Sequence, residues 1–233
     1  MAKNGKKYRA VKAKAPQGII ELADAVKFVK ENSVAKFDET AELAFKLGVD
    51  PKKTEQSVRG TVALPHGTGR KVRILVFAAG ASADAAKAAG ADFVGNEDLI
   101  EKVKGGWTEF DIAIATPDAM KEVRKLGKVL GPRGLMPNPK TGTVTDDTAT
   151  AVAQSKAGKV EFRMDRHGNI SVPFGKLSFA HDKLVDNANS IVAGVKAAKP
   201  AGLKGAYIKT CTVSSTMGVG LRVNVKDSID SGS

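Results

Sequence analysis

Between Gly127 and Val144 the chain reads Gly-Lys-Val-Leu-Gly-Pro-Arg-Gly-Leu-Met-Pro-Asn-Pro-Lys-Thr-Gly-Thr-Val, with Lys128, Arg133 and Lys140 as its only charged residues. Cations at fixed places on a proline-stiffened loop suit phosphate oxygens or another acidic surface. Gly127, Gly131, Gly134 and Gly142, with Pro132, Pro137 and Pro139, oppose a lasting helix or central strand, so a shaped loop is predicted. From Gly134 to Thr141 the spacing approaches the phosphate loop of nucleotide hydrolases, but Pro139 stands where that loop has glycine. Pro137 and Pro139 also lack the backbone N–H groups that would hold phosphate, so nucleotide hydrolysis is not expected. A rigid surface loop without a partner is the plain alternative.

Two further stretches mix residue types suited to reading RNA. Lys36-Phe37-Asp38-Glu39-Thr40 sets a cation and an aromatic beside hydroxyl and carboxylate groups, and RNA recognition uses such mixtures on bases, riboses and phosphates alike. Phe37 as core filling is the rival reading. Ser214-Ser215-Thr216-Met217-Gly218-Val219-Gly220 is a hydroxyl-rich turn with an adaptable methionine and glycines that admit a partner closely, or else an ordinary strand connection. His66, His167 and His181 show no metal-ligand spacing, and no nucleophile motif is recognisable, so no catalysis, metal or cofactor is expected.

The elements that must position these residues fall into two textures. Ile20–Lys30 has the periodicity of an amphipathic helix, and Asp38–Leu47 alternates with Leu43, Phe45 and Leu47 on one side. A second alternating run, Val58 to Leu64, is predicted to pair with it antiparallel, ending at a hinge over Pro65–Gly69. Val72–Ala78 and Asp111–Ala115 are near-continuous apolar runs, each followed by a helical segment (Ser82–Ala89, Pro117–Leu126), the pattern of buried parallel strands with crossovers. Asp92-Phe-Val is a short strand, Asn96 is predicted to cap a helix to Lys104, and Asp146 to begin one to Lys156. Beyond Gly158 a hairpin over Val160–Phe174, a helix over His181–Lys196 and strands over Ala206–Val213 and Val219–Val225 follow. The fold class is therefore α/β: an outer α+β domain with an antiparallel sheet (1–67 with 159–233), carrying an inserted three-layer, Rossmann-like domain (68–158). The first strand of that insert leads into Ala-Ala-Gly80-Ala-Ser, without the further glycines of a dinucleotide site.

A formal charge of +12 and a pI of about 9.7 point to a polyanionic partner. The outer segments hold 13 cations to 8 acids and 11 to 6, the insert 13 to 11, so the outer domain is the expected principal binder. Six cations and no acid fill the first 18 residues, read as a solvated arm that orders on an anionic surface. A single cysteine, Cys211, with no apolar leader and no membrane-length apolar run, predicts a cytoplasmic protein and no membrane partner.

Gly-Leu-Met-Pro-Asn-Pro-Lys at 134–140 resembles the signature of the large-subunit ribosomal protein of the lateral stalk, the L-one family in its bacterial form. Both outer stretches resemble that family's RNA contact surface, at Lys36, Phe37, Glu39, Thr40 and Glu42, then at Thr210, Thr216, Met217 and Gly218, and Ser214 of the hydroxyl-rich turn is a further RNA-binding candidate. Arg163, Arg166 and His167 are weaker carry-overs, and Lys128, Arg133, Asn138 and Lys140 are the inner loop's candidates. Val219 stands where the family commonly has proline. The resemblance spans essentially the whole chain. It implies a monomer within the large subunit, bound to rRNA on the mobile stalk beside the exit site. There it would help deacylated exit-site tRNA to leave and repress its own operon mRNA, taking no small-molecule substrate. A small-molecule enzyme using the inner domain, and a general basic nucleic-acid-binding protein, are the alternatives.

Overall fold

A computed structural model of the protein describes residues 5–225 except 52, 202 and 204, and all side chains there except those of Thr54 and Lys140. The fold is mixed α/β, with two compact units: Met1–Gly69 with Val160–Ser233, and Arg70–Lys159.

The first unit opens with α1 (Lys6–Lys14), β1 (Ile19–Ile20), α2 (Leu22–Glu31), β2 (Thr40–Leu47) and β3 (Arg59–Ala63). The expected unstructured arm is thus a helix over Lys6–Lys14, while Lys3 lies outside the described residues. Lysine, arginine and alanine are good helix formers, no glycine or proline interrupts Lys6–Ala15, and Pro16 ends the run. Leu22, Ala25, Val26 and Val29 line the buried side of α2. That helix begins after Ile20, because Ile19 and Ile20 join the sheet opposite Arg222 and Val223.

Along β2 burial alternates at every residue, with Ala41, Leu43, Phe45 and Leu47 inward. The predicted pairing of β2 with β3 does not form. Both edges of β2 are filled by strands distant in sequence, so β3 finds its partner in a separate two-stranded sheet.

In the second unit come β4 (Ile74–Phe77), α3 (Ala81–Ala88), β5 (Phe93–Gly95), α4 (Glu97–Lys104), β6 (Ile112–Ala115), α5 (Met120–Val123), α6 (Gly127–Leu130) and α7 (Thr148–Lys156). β4 lies between β5 and β6, parallel to both. Its four residues are all buried because helices cover both faces: Leu75 and Phe77 meet Leu99, Val103 and Val123, while Ile74 and Val76 meet Ala86 and Val152. Asn96 does precede α4, but its side chain makes no cap bond. Asp147, not Asp146, caps α7, accepting from Thr150 N at 3.1 Å. The helix predicted over Pro117–Leu126 is α5 followed by a 3-10 turn, Arg124–Leu126, and the first residues of the predicted loop form α6.

The chain then adds β7 (Lys159–Arg163), β8 (Asn169–Lys176), α8 (His181–Ala197), β9 (Ile208–Ser215) and β10 (Leu221–Val223). β7 and β8 do not form the predicted hairpin: β7 joins β3, whereas β8 joins the main sheet, ordered β1-β10-β9-β2-β8. That sheet is not wholly antiparallel, since β1 runs parallel to β10. α2 and α8 pack on one face of it, where Leu184, Ala188, Ile191 and Val192 join Leu43, Phe45, Val172 and Val213 in one core. Asn187 of α8 is fully buried and satisfied: Nδ2 donates to Gly67 O and Phe174 O at 2.9 and 2.8 Å, and Oδ1 accepts from His66 N at 3.1 Å. The start of the predicted hinge is therefore tied to α8.

Candidate nucleic-acid interface

Glu39 immediately precedes β2 and is 1% exposed, so its carboxylate must find its partners within the protein. It has five. Oε1 accepts from Ser33 Oγ at 2.7 Å, Val34 N at 3.2 Å and Ala35 N at 3.1 Å; Oε2 accepts from Ser215 Oγ at 2.6 Å and Met217 N at 2.9 Å. Burial opposes the charge, but the bonds from Ser215, Met217, Ser33 and Ala35 outweigh it and bring the pKa down to about 2. One carboxylate thus ties the turn that carries Lys36 and Phe37 to the turn that carries Thr216 and Met217.

The backbones lock the same junction. Thr40 N donates to Thr216 Oγ1 and Thr216 N to Thr40 O, both at 3.1 Å. Lys176 Nζ, at the end of β8, donates to Thr40 Oγ1 at 2.8 Å and Asp38 O at 3.2 Å, while Asp38 accepts from Ser178 N and Oγ. On this braced rim stand Phe37, 56% exposed, and Met217, 57% exposed. Ile19 is the only other large apolar side chain so exposed among the described residues, which makes the pair a marked feature of the surface. Phe37 is therefore not core filling. Glu39 is corrected in the opposite sense: with both oxygens buried and occupied, it positions its neighbours and offers no carboxylate to a nucleotide.

A polar sheet face runs away from that rim. Outward-facing Glu42 lies opposite Ser214 and Pro173, Ala44 opposite Thr212 and Ser171, and Lys46 opposite Thr210 and Asn169. Arg222 of β10 adds a cation opposite Thr212. Thr210 sits at the Lys46 end, about 20 Å along the strand from Thr40. Arg166 and His167 are exposed at that same end, where His167 O accepts from Lys46 Nζ. Their turn is held by Asp165, which accepts from the backbone of Asn169 and His167 and is lowered to a pKa of about 2, first by the Asn169 bonds. Arg163 is exposed on β7, in the two-stranded sheet. The candidates of the first unit are thus spread along one face from end to end, with Arg163 on a different sheet, and do not form one cluster.

In the second unit the 127–144 loop is internally braced. Asn138 O accepts from Thr141 N and Thr143 N and from both threonine hydroxyls, Asn138 N donates to Thr143 Oγ1 at 2.8 Å, and Thr141 is 2% exposed. Val144 then bridges to Ala115 at the end of β6. Lys128 and Arg133 are exposed, with Arg133 Nη1 donating to Thr108 Oγ1. The Lys140 side chain lies outside the described residues.

Ser33 and Lys176 are the parts of this arrangement that sequence reasoning did not single out, and Ser215 was named only as a member of its turn, not as a buried partner of Glu39. Ser215 had a usable signal: it shares the inward parity of Cys211 and Val213 on β9, and a hydroxyl at a core position demands an acceptor. Gly218 closes the turn, donating from its N to Ser215 O at 3.1 Å, and a Cβ there would lie 2.3 Å from Ser215 Oγ. Gly218→Ala is accordingly expected to push that hydroxyl off Glu39 and to cost about 1–2 kcal/mol of stability, read in urea denaturation. An unchanged midpoint would mean that the turn yields freely.

An open, hydroxyl-rich sheet face with a braced aromatic and thioether rim belongs to a binding protein of mixed α/β fold. Among the described residues no three His, Cys, Asp or Glu are grouped to hold a metal ion, and no helix is long and apolar enough to cross a membrane. The chain belongs to the ribosomal protein L1p/L10e family, whose model matches residues 29–219. It is a structural, rRNA-associated protein of the cytoplasmic ribosome.

Proposed function

We propose that the first unit is the principal RNA-binding domain, gripping large-subunit rRNA on the mobile stalk near the exit site. The Phe37–Met217 rim is its centre. The carrying observation is the buried Glu39, which fixes both exposed side chains on one rigid edge before any partner arrives. Preordered apolar groups beside Lys36, Thr40 and Thr216 fit an RNA element that offers an unstacked base and neighbouring riboses and phosphates. Thr210, Thr212 and Ser214 supply hydroxyls along the face for 2'-hydroxyl contacts, and Arg166 and His167 extend it toward phosphates.

In this reading the second unit presents Lys128, Arg133, Asn138 and Lys140 to RNA on its stiff loop, and the protein, one copy per ribosome, helps deacylated tRNA to leave. The same face of the first unit represses the operon mRNA, which would imitate the rRNA element. No bond is made or broken by the protein.

Filter binding to deproteinised large-subunit rRNA tests the reading. Met217→Ala and Phe37→Ala should each weaken binding by about 1–2 kcal/mol without changing the thermal midpoint, since both side chains are exposed. Losses under about 0.3 kcal/mol for both would remove the rim from the interface. A matched DNA stem-loop should bind more weakly than its RNA form, because the proposed face reads 2'-hydroxyls.

A further inference from the structure

The N-terminal helix α1 has a chemistry that the interface above does not use. Lys6, Lys7, Arg9, Lys12 and Lys14 occupy five of its nine positions, no acidic residue is present, and no residue of the helix is buried. Tyr8, Val11 and Ala15, on one side, are half-buried, which leaves the cations facing solvent. Many other cations are neutralised in place: Arg59 by Glu161, Arg70 and Arg73 by Asp111, Lys87 by Asp84, Lys121 by Asp118 and Lys125 by Glu122. Among the described residues, the side chains of the five on α1 make neither an ion pair nor a hydrogen bond.

Such a helix is poorly placed to stand alone. Nine residues fall short of the roughly 12–15 that an isolated helix needs, and Lys6 with Arg9, and Arg9 with Lys12, repel at helical spacing. A line of negative charge would remove the repulsion and hold the backbone. The rod is about 13 Å long, over which one strand of a duplex presents roughly four phosphates. A membrane surface fits less well, because the helix lacks the wide apolar face with Trp, Phe or Leu that enters a lipid boundary.

We propose that α1 docks along an RNA phosphate backbone as a cationic rod, contributing affinity that is independent of base sequence. It rests on the RNA-binding function proposed above, and adds a contact of a different kind: the Phe37–Met217 rim selects the RNA element, and α1 strengthens the hold on whatever duplex adjoins it. Because α1 leads into β1 at the opposite edge of the main sheet from β8, the rod and the rim can engage separate stretches of one folded RNA.

The test uses the full chain with Lys6→Gln, Lys7→Gln, Arg9→Gln, Lys12→Gln and Lys14→Gln combined. Two RNA probes are titrated between about 50 and 200 mM salt, deproteinised large-subunit rRNA and a 20-bp RNA duplex of random sequence, with phosphatidylglycerol vesicles run alongside. The expected result is a plot of log affinity against log salt that is shallower by about 2, and an affinity for both probes at least about tenfold lower, with the ratio between them kept. An unchanged slope overturns the proposal. So does a loss confined to rRNA, which would make α1 a selecting element, or a loss seen only on phosphatidylglycerol vesicles, which would assign it to a membrane. A fall in thermal midpoint would also count against it, as all five substituted side chains are exposed. If the unaltered protein shows no preference for rRNA over the duplex, the proposed function fails instead, and the duplex titration still decides the role of α1.

Discussion

Replacing Glu39 by alanine is expected to cost about 3–5 kcal/mol of folding stability, against a total of about twice that for a typical domain, and to weaken rRNA binding at least about a hundredfold. The cost follows from what is left behind. Ser215 Oγ is buried and would lose its acceptor, and the half-buried N–H groups of Val34, Ala35 and Met217 would lose theirs. Binding falls because the Phe37 turn and the Met217 turn no longer share an anchor, so their ordering must come out of the binding energy.

Glu39→Gln separates charge from shape. The folded pKa of about 2 lies below the usual 4.5, so the charged form is the one that folding favours. Its contribution is complete above about pH 4.5 and is lost as pH falls through 2, amounting to roughly 3 kcal/mol across that window. Urea midpoints measured from pH 5 down to 2.5 should therefore fall more steeply for the native chain than for Glu39→Gln. Parallel curves would show that Glu39 does not carry the acid sensitivity.

The second large effect concerns stability alone. On α8, a Cβ at Gly194 would lie 2.2 Å from Val62 Cγ2 on β3, so the helix can approach that strand only because the position is glycine. Val62 is β-branched and cannot swing aside, and Gly194→Ala should cost about 3 kcal/mol despite the better helix propensity of alanine. Adding Val62→Ala should recover most of that loss, even though Val62→Ala alone opens a small cavity and destabilises. Neither residue takes part in the Glu39 bonds, so the preference for rRNA over random duplex should persist in both variants. Additive losses in the double variant would show that the two residues do not meet.

Much of the local structure was legible because it follows from periodicity. Alternation along Asp38–Leu47 gave the inward set of β2, the apolar runs at Val72–Ala78 and Asp111–Ala115 gave buried parallel strands, and the spacing over His181–Lys196 gave α8. Composition pointed to a polyanionic partner, and the motif at Gly134–Lys140 to the family. The partners of each strand were not legible in the same way. Alternation says which side chains face inward, but not which neighbour fills an edge. β2 was expected beside β3 and instead took β8 and β9, more than a hundred residues on.

What the sequence by itself determined, then, was the periodic character of each segment, the basic charge and the two stretches that carry Phe37 and Met217. Only the tertiary structure decided that Phe37 is exposed, that Glu39 is buried beneath it, and that the two stretches are joined through that carboxylate. The reason is that burial of a single residue beside a strand depends on contacts with Ser33 on one side and Ser215 on the other. The first contact is local, but the second exists only after segments about 180 residues apart have come into register.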